Sequence, residues 1–441
     1  MKIVIIGGDA AGMSAAMEIT REMNDAQIVI LEKGTIYSYG QCGLPYVIDG
    51  RVTSTDDLIA RPVESFQQKY GMDTRVLHEV TAIDTAQQTV SGINHATGEP
   101  FEESYDRLLI ATGASPTKLD VEGNHLAGIH AVKTIPQMEA LMHDLQHVKR
   151  AVVIGGGYIG LEVAEALALR GIGVTIVQRS KQLMPALHAT FAQQLVVEAN
   201  KHQVNVQLEE TLEAFEGAER VTAVRTNKGR YEADVVIVAA GVRPNTAFLP
   251  ESFEKLGNGA LIVNAYQQTS VKNVYAAGDC ASHFHRLTLK PDYLALGTTA
   301  NKQGRVAGRV IAGMEAQFNG IVGTSILKFF ELQIGMTGLT LTQAKAHSFD
   351  AIEYDWEANA VASYYEIPPK LQLKMVVEQQ TNRLLGLQMI GTTGVDKRID
   401  VFATALHHQM TLPELIDLDL SYAPPFNGVW DALLQVAKRF T

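Results

Sequence analysis

The order of apolar and polar residues at the start of the chain predicts a strand, a helix and a second strand. Residues 1–8, MKIVIIGG, form a β-branched apolar run that ends in glycines. An amphipathic helix is predicted from Met13 to about Arg21, and the run AQIVILEKG predicts the second strand. A strand, a glycine turn, a helix and another strand in this order are typical of a βαβ unit.

The same pattern returns at Arg150. The segment RAVVIGGGYIGLEVAEALALRGIGVTIVQRS again gives an apolar run, a glycine turn, a helical stretch and a second apolar run. Because each such unit can bind one nucleotide cofactor, two of them predict two nucleotide-binding domains on one chain.

The remaining segments predict the connections between these units and a further domain after them. Residues 105–116 and 233–245 are apolar runs stopped by glycine and then proline, as expected where a sheet strand ends beside a bound cofactor. From about Gly323 the apolar positions alternate, as in ILKFFELQIGMTGLT, which predicts antiparallel strands, and helical segments extend from there to Thr441. A third domain, of the α+β type, is therefore expected from about residue 322.

The composition and net charge limit the partners and the cellular compartment that are expected for this protein. The 441 residues are 46% apolar, enough for a large core, and carry 37 Lys and Arg against 48 Asp and Glu, a net charge of −11. A chain this acidic repels nucleic-acid phosphates and anionic lipid, so neither nucleic acid nor a membrane is an expected partner. With only two cysteines, no apolar run of membrane-spanning length and no leader pattern, a reducing, cytoplasmic location is expected.

The first glycine turn is an imperfect dinucleotide motif. Gly7 and Gly12 occupy the outer positions of G-x-G-x-x-G, but Asp9 stands where the middle glycine lets a pyrophosphate approach the backbone. Glu32 ends the second strand, at the place where an acid accepts hydrogen bonds from a ribose diol. Taken alone, the motif is equally compatible with a turn that only packs a helix on a strand.

The second glycine turn has all three motif glycines, but its second strand does not end in an acidic residue as that of the first unit does. Gly155, Gly157 and Gly160 supply the three glycines, and the second strand ends in Gln178 followed by Arg179. A carboxylate there would repel a 2′-phosphate, whereas a neutral residue beside cations tolerates it, so NADPH is favoured over NADH. We expect one turn to hold a tightly bound flavin and the other an exchanging nicotinamide.

Cys42 is the candidate redox residue. It lies in YSYGQCGLPYVIDG, ten residues beyond Glu32, and we expect it at the start of a helix, where the helix N-terminus lowers a thiol's pKa and favours the thiolate. The alternative is a buried, inert cysteine. Its closeness in sequence to the first turn favours the redox interpretation.

Eight segments spread over the whole chain carry a family resemblance. They are GGDAAGMSAA, SYGQCGLPY, LLIATGASP, GGGYIGLE, AAGVRPN, VYAAGDCA, LGTTANKQGRVAG and DLSYAPPFNGVWD. Together they resemble the flavoprotein pyridine nucleotide-disulfide oxidoreductases, and more narrowly the single-cysteine branch that contains the coenzyme A-disulfide reductases. The resemblance implies an α/β fold with an FAD-binding domain (1–112 and 246–321), an NAD(P)H-binding domain (113–245) and a C-terminal α+β dimerisation domain (322–441).

The resemblance also implies roles for individual residues. Asp279 matches the residue that binds the ribityl chain of the flavin, Gly278 allows close approach, and Thr112 and Gly113 match a turn near the flavin.

Other implied residues concern the partner subunit and the substrate. A homodimer is implied in which Tyr422 and Tyr364 point at the other subunit's cysteine, although both are also compatible with ordinary interface residues. Arg21, Ser38 and Arg61 are implied to bind coenzyme A; for the two arginines the alternative is a solvated surface.

Departures from the family pattern limit the mechanism. Val47 stands where the dithiol members have a second cysteine, and Gln409 stands where they have a histidine base, so a dithiol mechanism is excluded. Ala10 replaces the histidine of the oxidases and peroxidases, which weakens that alternative. Gln41 replaces the asparagine that commonly precedes the cysteine in coenzyme A reductases, so the thiol substrate stays open.

The expected activity combines these points. NAD(P)H reduces FAD, and the flavin reduces a mixed disulfide between Cys42 and a low-molecular-weight thiol, with coenzyme A disulfide or a persulfide as substrate. The alternatives are an NAD(P)H oxidase or peroxidase that cycles Cys42 through sulfenic acid, and a flavin-bound redox sensor. Cys280, His283 and His285 form C-x2-H-x-H, but without an evident fourth ligand no metal is expected.

Overall fold

The computed structural model describes residues 1–365 and 367–441 and confirms the expected α/β class. The elements up to residue 112 are β1 (Lys2–Ile6), α1 (Ala10–Glu22), β2 (Gln27–Leu31), α2 (Pro45–Ile48), α3 (Val63–Tyr70), β3 (Asp73–Arg75), β4 (His78–Asp84), β5 (Thr89–Asn94), β6 (Glu99–Ser104) and β7 (Arg107–Ile110). They form most of a parallel sheet, in the order β7-β1-β2-β3, and a three-stranded antiparallel sheet, β4-β5-β6.

The next stretch of chain repeats this architecture. Its elements are β8 (Ala114–Pro116), β9 (Ile129–His130), α4 (Ile135–Asp144), β10 (Arg150–Ile154), α5 (Tyr158–Leu169), β11 (Gly173–Gln178), α6 (Ala189–Lys201), β12 (Asn205–Leu208), β13 (Leu212–Gly217), β14 (Val221–Thr226), β15 (Arg230–Glu232), β16 (Val235–Val238) and β17 (Val242–Pro244). The second parallel sheet has the order β12-β11-β10-β16-β9 and carries its own antiparallel sheet, β13-β14-β15.

The chain then returns to the first sheet before forming a third unit. The returning elements are β18 (Val274–Ala276), which adds a fifth strand beside β7, β19 (His283–His285), β20 (Lys290–Asp292) and α7 (Gly297–Ile311). The third unit contains β21 (Ser325–Phe329), β22 (Leu332–Gly338), α8 (Leu341–Ala346), β23 (Ala351–Asn359), β24 (Lys370–Glu378), β25 (Leu384–Gly391), α9 (Val395–His407), α10 (Leu412–Ile416) and α11 (Ala432–Phe440). Its five strands form an antiparallel sheet in the order β21-β22-β25-β24-β23.

In each parallel sheet, the register aligns the carboxyl ends of neighbouring strands at one edge. Ile6 at the end of β1 lies opposite Leu31 and Ile110, and Ile154 at the end of β10 lies opposite Val177 and Val238. Ligands of open α/β sheets bind at this edge. The fold therefore places the two glycine turns, which come directly after β1 and β10, at the two edges where ligands are expected.

Two chain crossovers join the two parallel sheets. Strands β8 and β17 pair antiparallel, with Ala114 opposite Pro244. Beside them the Thr112 hydroxyl donates to the Asn245 carbonyl at 2.8 Å, and the Asn245 side-chain amide donates to the Thr112 carbonyl at 2.8 Å. These reciprocal hydrogen bonds fix the outgoing and returning segments side by side.

The third unit docks on the second through the tip of its β21–β22 hairpin. The buried carboxylates of Glu165 on α5 and Glu198 on α6 accept the backbone N–H groups of Phe330 and Glu331, at 2.8 and 3.1 Å. The ring of His202 stacks on Phe330 with centroids 3.8 Å apart. Buried carboxylates need such partners, so this contact holds the two units together.

Glycines allow α1 and α7 to pack in direct backbone contact. A Cβ placed on Gly304 would lie 2.2 Å from the carbonyl oxygen of Ala11, and one on Gly308 would lie 2.5 Å from that of Ala15. Side chains cannot be accommodated at such distances. The two helices therefore form one rigid layer against the first sheet.

The structure shifts some predicted boundaries. The first helix begins at Ala10 rather than Met13, because its first turn continues directly from the glycine turn. Within the apolar run of residues 233–245, β16 ends at Val238 and the chain turns at Gly241 (φ +96°), the glycine at which the sequence predicts that the run stops. Within residues 1–365 and 367–441, no helix is both long and apolar enough to cross a membrane.

The packing of α1 on α7 predicts the effect of a single methyl group. We expect Gly308→Ala to cost about 1–3 kcal/mol through overpacking, although alanine alone would favour a helix interior by about 1 kcal/mol over glycine. The measurement is the thermal unfolding midpoint. Gly257→Ala is the control, because its Cβ would meet nothing within 4 Å among the described residues. A Gly308→Ala protein as stable as the parent would contradict the close packing.

Candidate functional site

A large cleft lies between the carboxyl ends of the two parallel sheets. Its volume is approximately 2710 Å³, well above the roughly 300–1,000 Å³ of a single small-ligand pocket. The predicted site residues that line it are Gly7, Glu32, Cys42, Thr112, Gly113, Gly155, Gly157, Gln178, Arg179, Gly278 and Asp279. The cleft is therefore large enough for two dinucleotides and brings both glycine turns and the candidate cysteine together.

The last glycine of each turn lies beneath the cleft and serves packing. A Cβ on Gly12 would lie 2.0 Å from the carbonyl oxygen of Gly7, and one on Gly160 would lie 1.9 Å from that of Gly155. Gly7 and Gly155 have nearly the same left-handed φ, +107° and +108°. The two turns thus share one geometry, in which the helix starts in contact with the strand that precedes it.

The residues that end the second strands differ in charge. Both oxygens of the Glu32 carboxylate accept backbone N–H groups, from Gly8 at 2.8 Å and from Gly34 at 2.7 Å. The Gln178 side-chain oxygen accepts the Gly156 N–H at 2.9 Å. The same position therefore carries a negative charge in the first turn and a neutral amide in the second, where the exposed Arg179 is the next residue.

The middle positions of the two turns also differ. Asp9 and Gly157 have similar extended backbones (φ −116° and −89°) and each precedes its helix. A Cβ on Gly157 would meet nothing within 4 Å in the described part of the chain, so its glycine leaves free space. The Asp9 carboxylate instead accepts the Tyr39 N–H at 3.2 Å and the Gln41 side-chain amide at 2.6 Å. Burial raises the pKa of Asp9 to about 6.

Cys42 lies on the cleft wall in a short 3-10 turn, Gln41–Gly43. Its side chain is exposed and not buried, contrary to the alternative of a buried cysteine. The expected lowering of its pKa is wrong. Helix α2 is a single turn that begins only at Pro45, so Cys42 does not sit at a helix N-terminus. Desolvation and then the Glu162 carboxylate raise the pKa of the Cys42 thiol, and the ammonium of Lys133 opposes them.

Two of the charged residues around Cys42, Glu162 and Lys133, were not singled out in the sequence. Glu162, on α5, accepts a hydrogen bond from the Tyr46 hydroxyl at 3.2 Å, and burial raises its pKa. Lys133 pairs with Asp279 at 3.1 Å. Glu162 stands two residues after Gly160, the last motif glycine, and this position could have identified it as a site residue. No sequence motif near Lys133 points to the site.

The two predicted tyrosines lie outside this cleft and contact each other. The hydroxyls of Tyr364 and Tyr422 are 2.7 Å apart, and the residues are 73% and 45% exposed on the third unit. The buried Arg398 anchors both of their segments, because its guanidinium donates to the Ala360 carbonyl at 3.1 Å and to the Asn427 side-chain oxygen at 3.0 Å, and the Asn427 amide donates to the Ser421 carbonyl at 3.4 Å. The pair is therefore presented outward on a fixed base.

The predicted substrate residues also lie outside the cleft. Arg21 is on the outer end of α1, paired with Glu18, and Arg61 contacts the sulfur of Met17 on the same helix at 3.7 Å. Ser38 adopts a left-handed φ of +49°, and its N–H donates to the Gly8 carbonyl at 2.9 Å. The two arginines thus flank one face of α1.

The C-x2-H-x-H segment is packed into the fold. Cys280 is fully buried, and its thiol contacts the Ile110 carbonyl oxygen at 3.3 Å. His283 and His285 are buried on β19, and burial lowers the pKa of His283 to about 4. These three side chains therefore serve the core beside Asp279.

Comparison with known proteins is consistent with this geometry. The pyridine nucleotide-disulphide oxidoreductase model matches residues 1–304, and the dimerisation-domain model of the same family matches residues 324–433. The chain is 38% identical over 440 residues to an NAD(P)H sulfur oxidoreductase (CoA-dependent) of Pyrococcus furiosus, covering 99% of this chain and 98% of that protein. It is 32% identical over 441 residues to a coenzyme A disulfide reductase of Staphylococcus aureus, covering 99% of each.

Among solved structures, the water-forming NADH oxidase of Lactobacillus brevis bound to NADH is similar, with a TM-score of 0.96 and 29% identity over 100% of this chain and 98% of that one. Its engineered NADPH-bound mutant has the same values. That mutant's five substitutions include Asp→Ala, Ala→Arg and Met→Ser at three consecutive positions.

The charges around Cys42 predict how its reactivity depends on pH. Because the thiol pKa is raised, little thiolate is present at neutral pH, and alkylation by iodoacetamide is expected to accelerate up to and beyond pH 9. Replacing Glu162 with Gln keeps an acceptor for Tyr46 and removes one negative charge, so the rate at pH 7.5 is expected to rise about three- to tenfold. The exposed Glu122→Gln is the control. Unchanged alkylation in Glu162→Gln would contradict the assigned electrostatics.

Proposed function

The chain belongs to the pyridine nucleotide-disulphide oxidoreductase family, and within it we propose that the protein reduces coenzyme A disulfide, or a related low-molecular-weight disulfide or persulfide, with electrons from NAD(P)H. The family and its relatives make it a flavin-dependent NAD(P)H oxidoreductase that acts on sulfur compounds. The observation that carries the proposal is a single exposed cysteine, Cys42, on the wall of a cleft shared by two glycine turns.

We assign FAD to the first glycine turn and NAD(P)H to the second, in the domains bounded by residues 1–112 with 246–321 and by residues 113–245. Among the described residues, neither α1 nor α5 has a side chain capping its first turn. Their free N–H groups fit the pyrophosphate of a dinucleotide. Gly278, with a φ of +83°, and Asp279 fit the ribityl side of the flavin, and Glu32 fits a ribose diol.

Cys42 carries the sulfur chemistry. When bound, FAD and NAD(P)H would supply two electrons and a proton. The Cys42 thiolate attacks one sulfur of the disulfide, the substrate S–S bond breaks, and the first thiol leaves with a proton from solvent. The resulting mixed disulfide accepts the two electrons, which breaks its S–S bond, releases the second thiol and restores the thiolate. Lys133 favours that thiolate electrostatically, and Glu162 and Asp279 disfavour it.

We propose a homodimer in which Tyr364 and Tyr422 face the cysteine of the partner subunit. The dimerisation-domain match supports it, as do the exposure of both tyrosines and their position outside the cleft of their own chain. A phenol hydroxyl there can donate a hydrogen bond to a departing thiolate. The arginines that flank α1, Arg21 and Arg61, are then available with Ser38 for the phosphates of coenzyme A.

We propose NADPH as the preferred nicotinamide. The neutral Gln178 does not repel a 2′-phosphate, and Arg179 at the cleft can pair with it. The run Gln178–Arg179–Ser180 has Arg and Ser in its second and third places, as does the run engineered into the NADPH-bound oxidase.

An NAD(P)H oxidase that cycles Cys42 through sulfenic acid is the second candidate. The similarity to the Lactobacillus brevis oxidase supports it. Ala10, at the start of α1, opposes it because its methyl group cannot assist peroxide chemistry.

Anaerobic turnover separates the two functions. With coenzyme A disulfide, each NAD(P)H consumed is expected to release two thiols, and Cys42→Ser is expected to abolish this release because it removes the nucleophile. Cys280→Ser, a matched change at the buried cysteine, should retain it. No anaerobic turnover, with rapid Cys42-dependent NAD(P)H consumption once air is admitted, would establish the oxidase instead.

Charge reversal at Arg179 tests the nicotinamide preference. Arg179→Glu is expected to raise KM for NADPH by about tenfold or more, equivalent to about 1.4 kcal/mol, while changing KM for NADH much less, because only NADPH carries the 2′-phosphate. Lys181→Glu, at an exposed residue two positions further on, is the control. Equal effects on both nucleotides would count against phosphate recognition by Arg179.

A further inference from the structure

We propose that Asp9 is a positioning residue for Cys42: through Gln41, its carboxyl group fixes the turn that presents the thiol to the cleft. The contact itself is a feature of the fold. Its role in the reaction rests on the proposed function of Cys42.

A series of hydrogen bonds fastens the segment before Cys42 to the first glycine turn. The Gly8 carbonyl accepts the Ser38 N–H at 2.9 Å, and the Asp9 carboxylate accepts the Tyr39 N–H at 3.2 Å and the Gln41 amide at 2.6 Å. On the opposite side, backbone bonds between residues 38–40 and 58–60 hold the same segment. Asp9 supplies the side-chain link that reaches the residue next to Cys42.

Two departures from the expected motifs account for this link. Asp9 replaces a motif glycine, and Gln41 replaces the asparagine common in the coenzyme A reductases. The two side chains contact each other, and an asparagine at position 41 would be shorter by one methylene, about 1.5 Å. The second turn, which has no cysteine to hold, has Gly157 in the equivalent conformation with free space above it. The aspartate is therefore not required by the turn itself.

The Asp9 carboxylate also places a negative charge near the Cys42 thiol. Cys42 faces negative groups from three elements, Glu162 on α5, Asp279 after β18 and Asp9 before α1, and one cation, Lys133. Asp9 in turn faces Glu32, whose charge opposes its ionisation. Removing the charge of Asp9 and removing its hydrogen bond should therefore have separate effects on the thiol.

Alkylation of Cys42 by iodoacetamide over a range of pH measures both effects on the intact flavin-loaded protein. The pH midpoint reports the charge around the thiol, and the rate at high pH reports how freely the turn presents it. Cys280 is buried, and Cys42→Ser gives the background. Flavin absorbance and the unfolding midpoint show whether each variant is folded and loaded.

Asp9→Asn loses the charge and keeps one acceptor oxygen, which can hold the Gln41 amide while the Tyr39 contact is lost. Its midpoint is expected to fall by about half a unit, which is about threefold in rate at pH 7.5. Gln41→Leu keeps the charge and loses the bond, so its high-pH rate should change at least about threefold with little shift of the midpoint. Asp9→Ala should show both effects. The Asp9→Ala/Gln41→Leu double variant should have the same high-pH rate as Asp9→Ala, because the two changes remove the same contact, the one between Asp9 and Gln41. Asp25→Asn, an exposed acid beyond the far end of α1, is the control.

Two results would overturn the proposal: high-pH rates in Gln41→Leu and Asp9→Ala equal to the parent, or effects that multiply in the double variant. Should Asp9→Ala not fold, Gln41→Leu and Asp9→Asn decide alone by the same criteria. Alkylation requires no disulfide substrate, so failure of the proposed reductase activity would leave this result readable.

Discussion

The reciprocal hydrogen bonds between Thr112 and Asn245 are the constraint on which the arrangement of the cleft depends. They join the point where the chain leaves the first parallel sheet to the point where it returns. The two sheets are otherwise separate βαβ structures, and side-chain contacts of Tyr46 with Glu162 and of Lys133 with Asp279 add to this link. By pinning both crossovers together, this pair sets the carboxyl ends of β1 and β10 around one cavity, with Cys42 on its wall.

Local features of the sequence predicted the fold well. Within each glycine turn the first and last glycines contact each other, as the Gly7 carbonyl lies beneath Gly12, so this part of the motif is readable without a structure. The alternation beyond Gly323 is equally local, and it gave the antiparallel sheet of the third unit. Boundaries were less accurate, because α1 begins at Ala10, directly after the glycine turn, rather than at Met13.

The electrostatics of the site could not be predicted in the same way. The pKa of Cys42 depends on Glu162, Lys133 and Asp279, which come from distant parts of the sequence and meet only in the folded chain. The sequence favours a helix directly after the cysteine, yet α2 begins three residues later and is one turn long. The contact between Asp9 and Gln41 is likewise invisible in the sequence, although each residue departs from its motif.

The docking of the β21–β22 hairpin has a consequence for how this architecture can diverge. Glu165 and Glu198 recognise the backbone N–H groups of Phe330 and Glu331. The main-chain hydrogen bonds themselves do not depend on the hairpin side chains, although the stacking of His202 on Phe330 favours an aromatic ring at that position. Each buried carboxylate has to be retained as an acceptor. Substitution is therefore expected to be opposed more strongly at the two glutamates than in the hairpin.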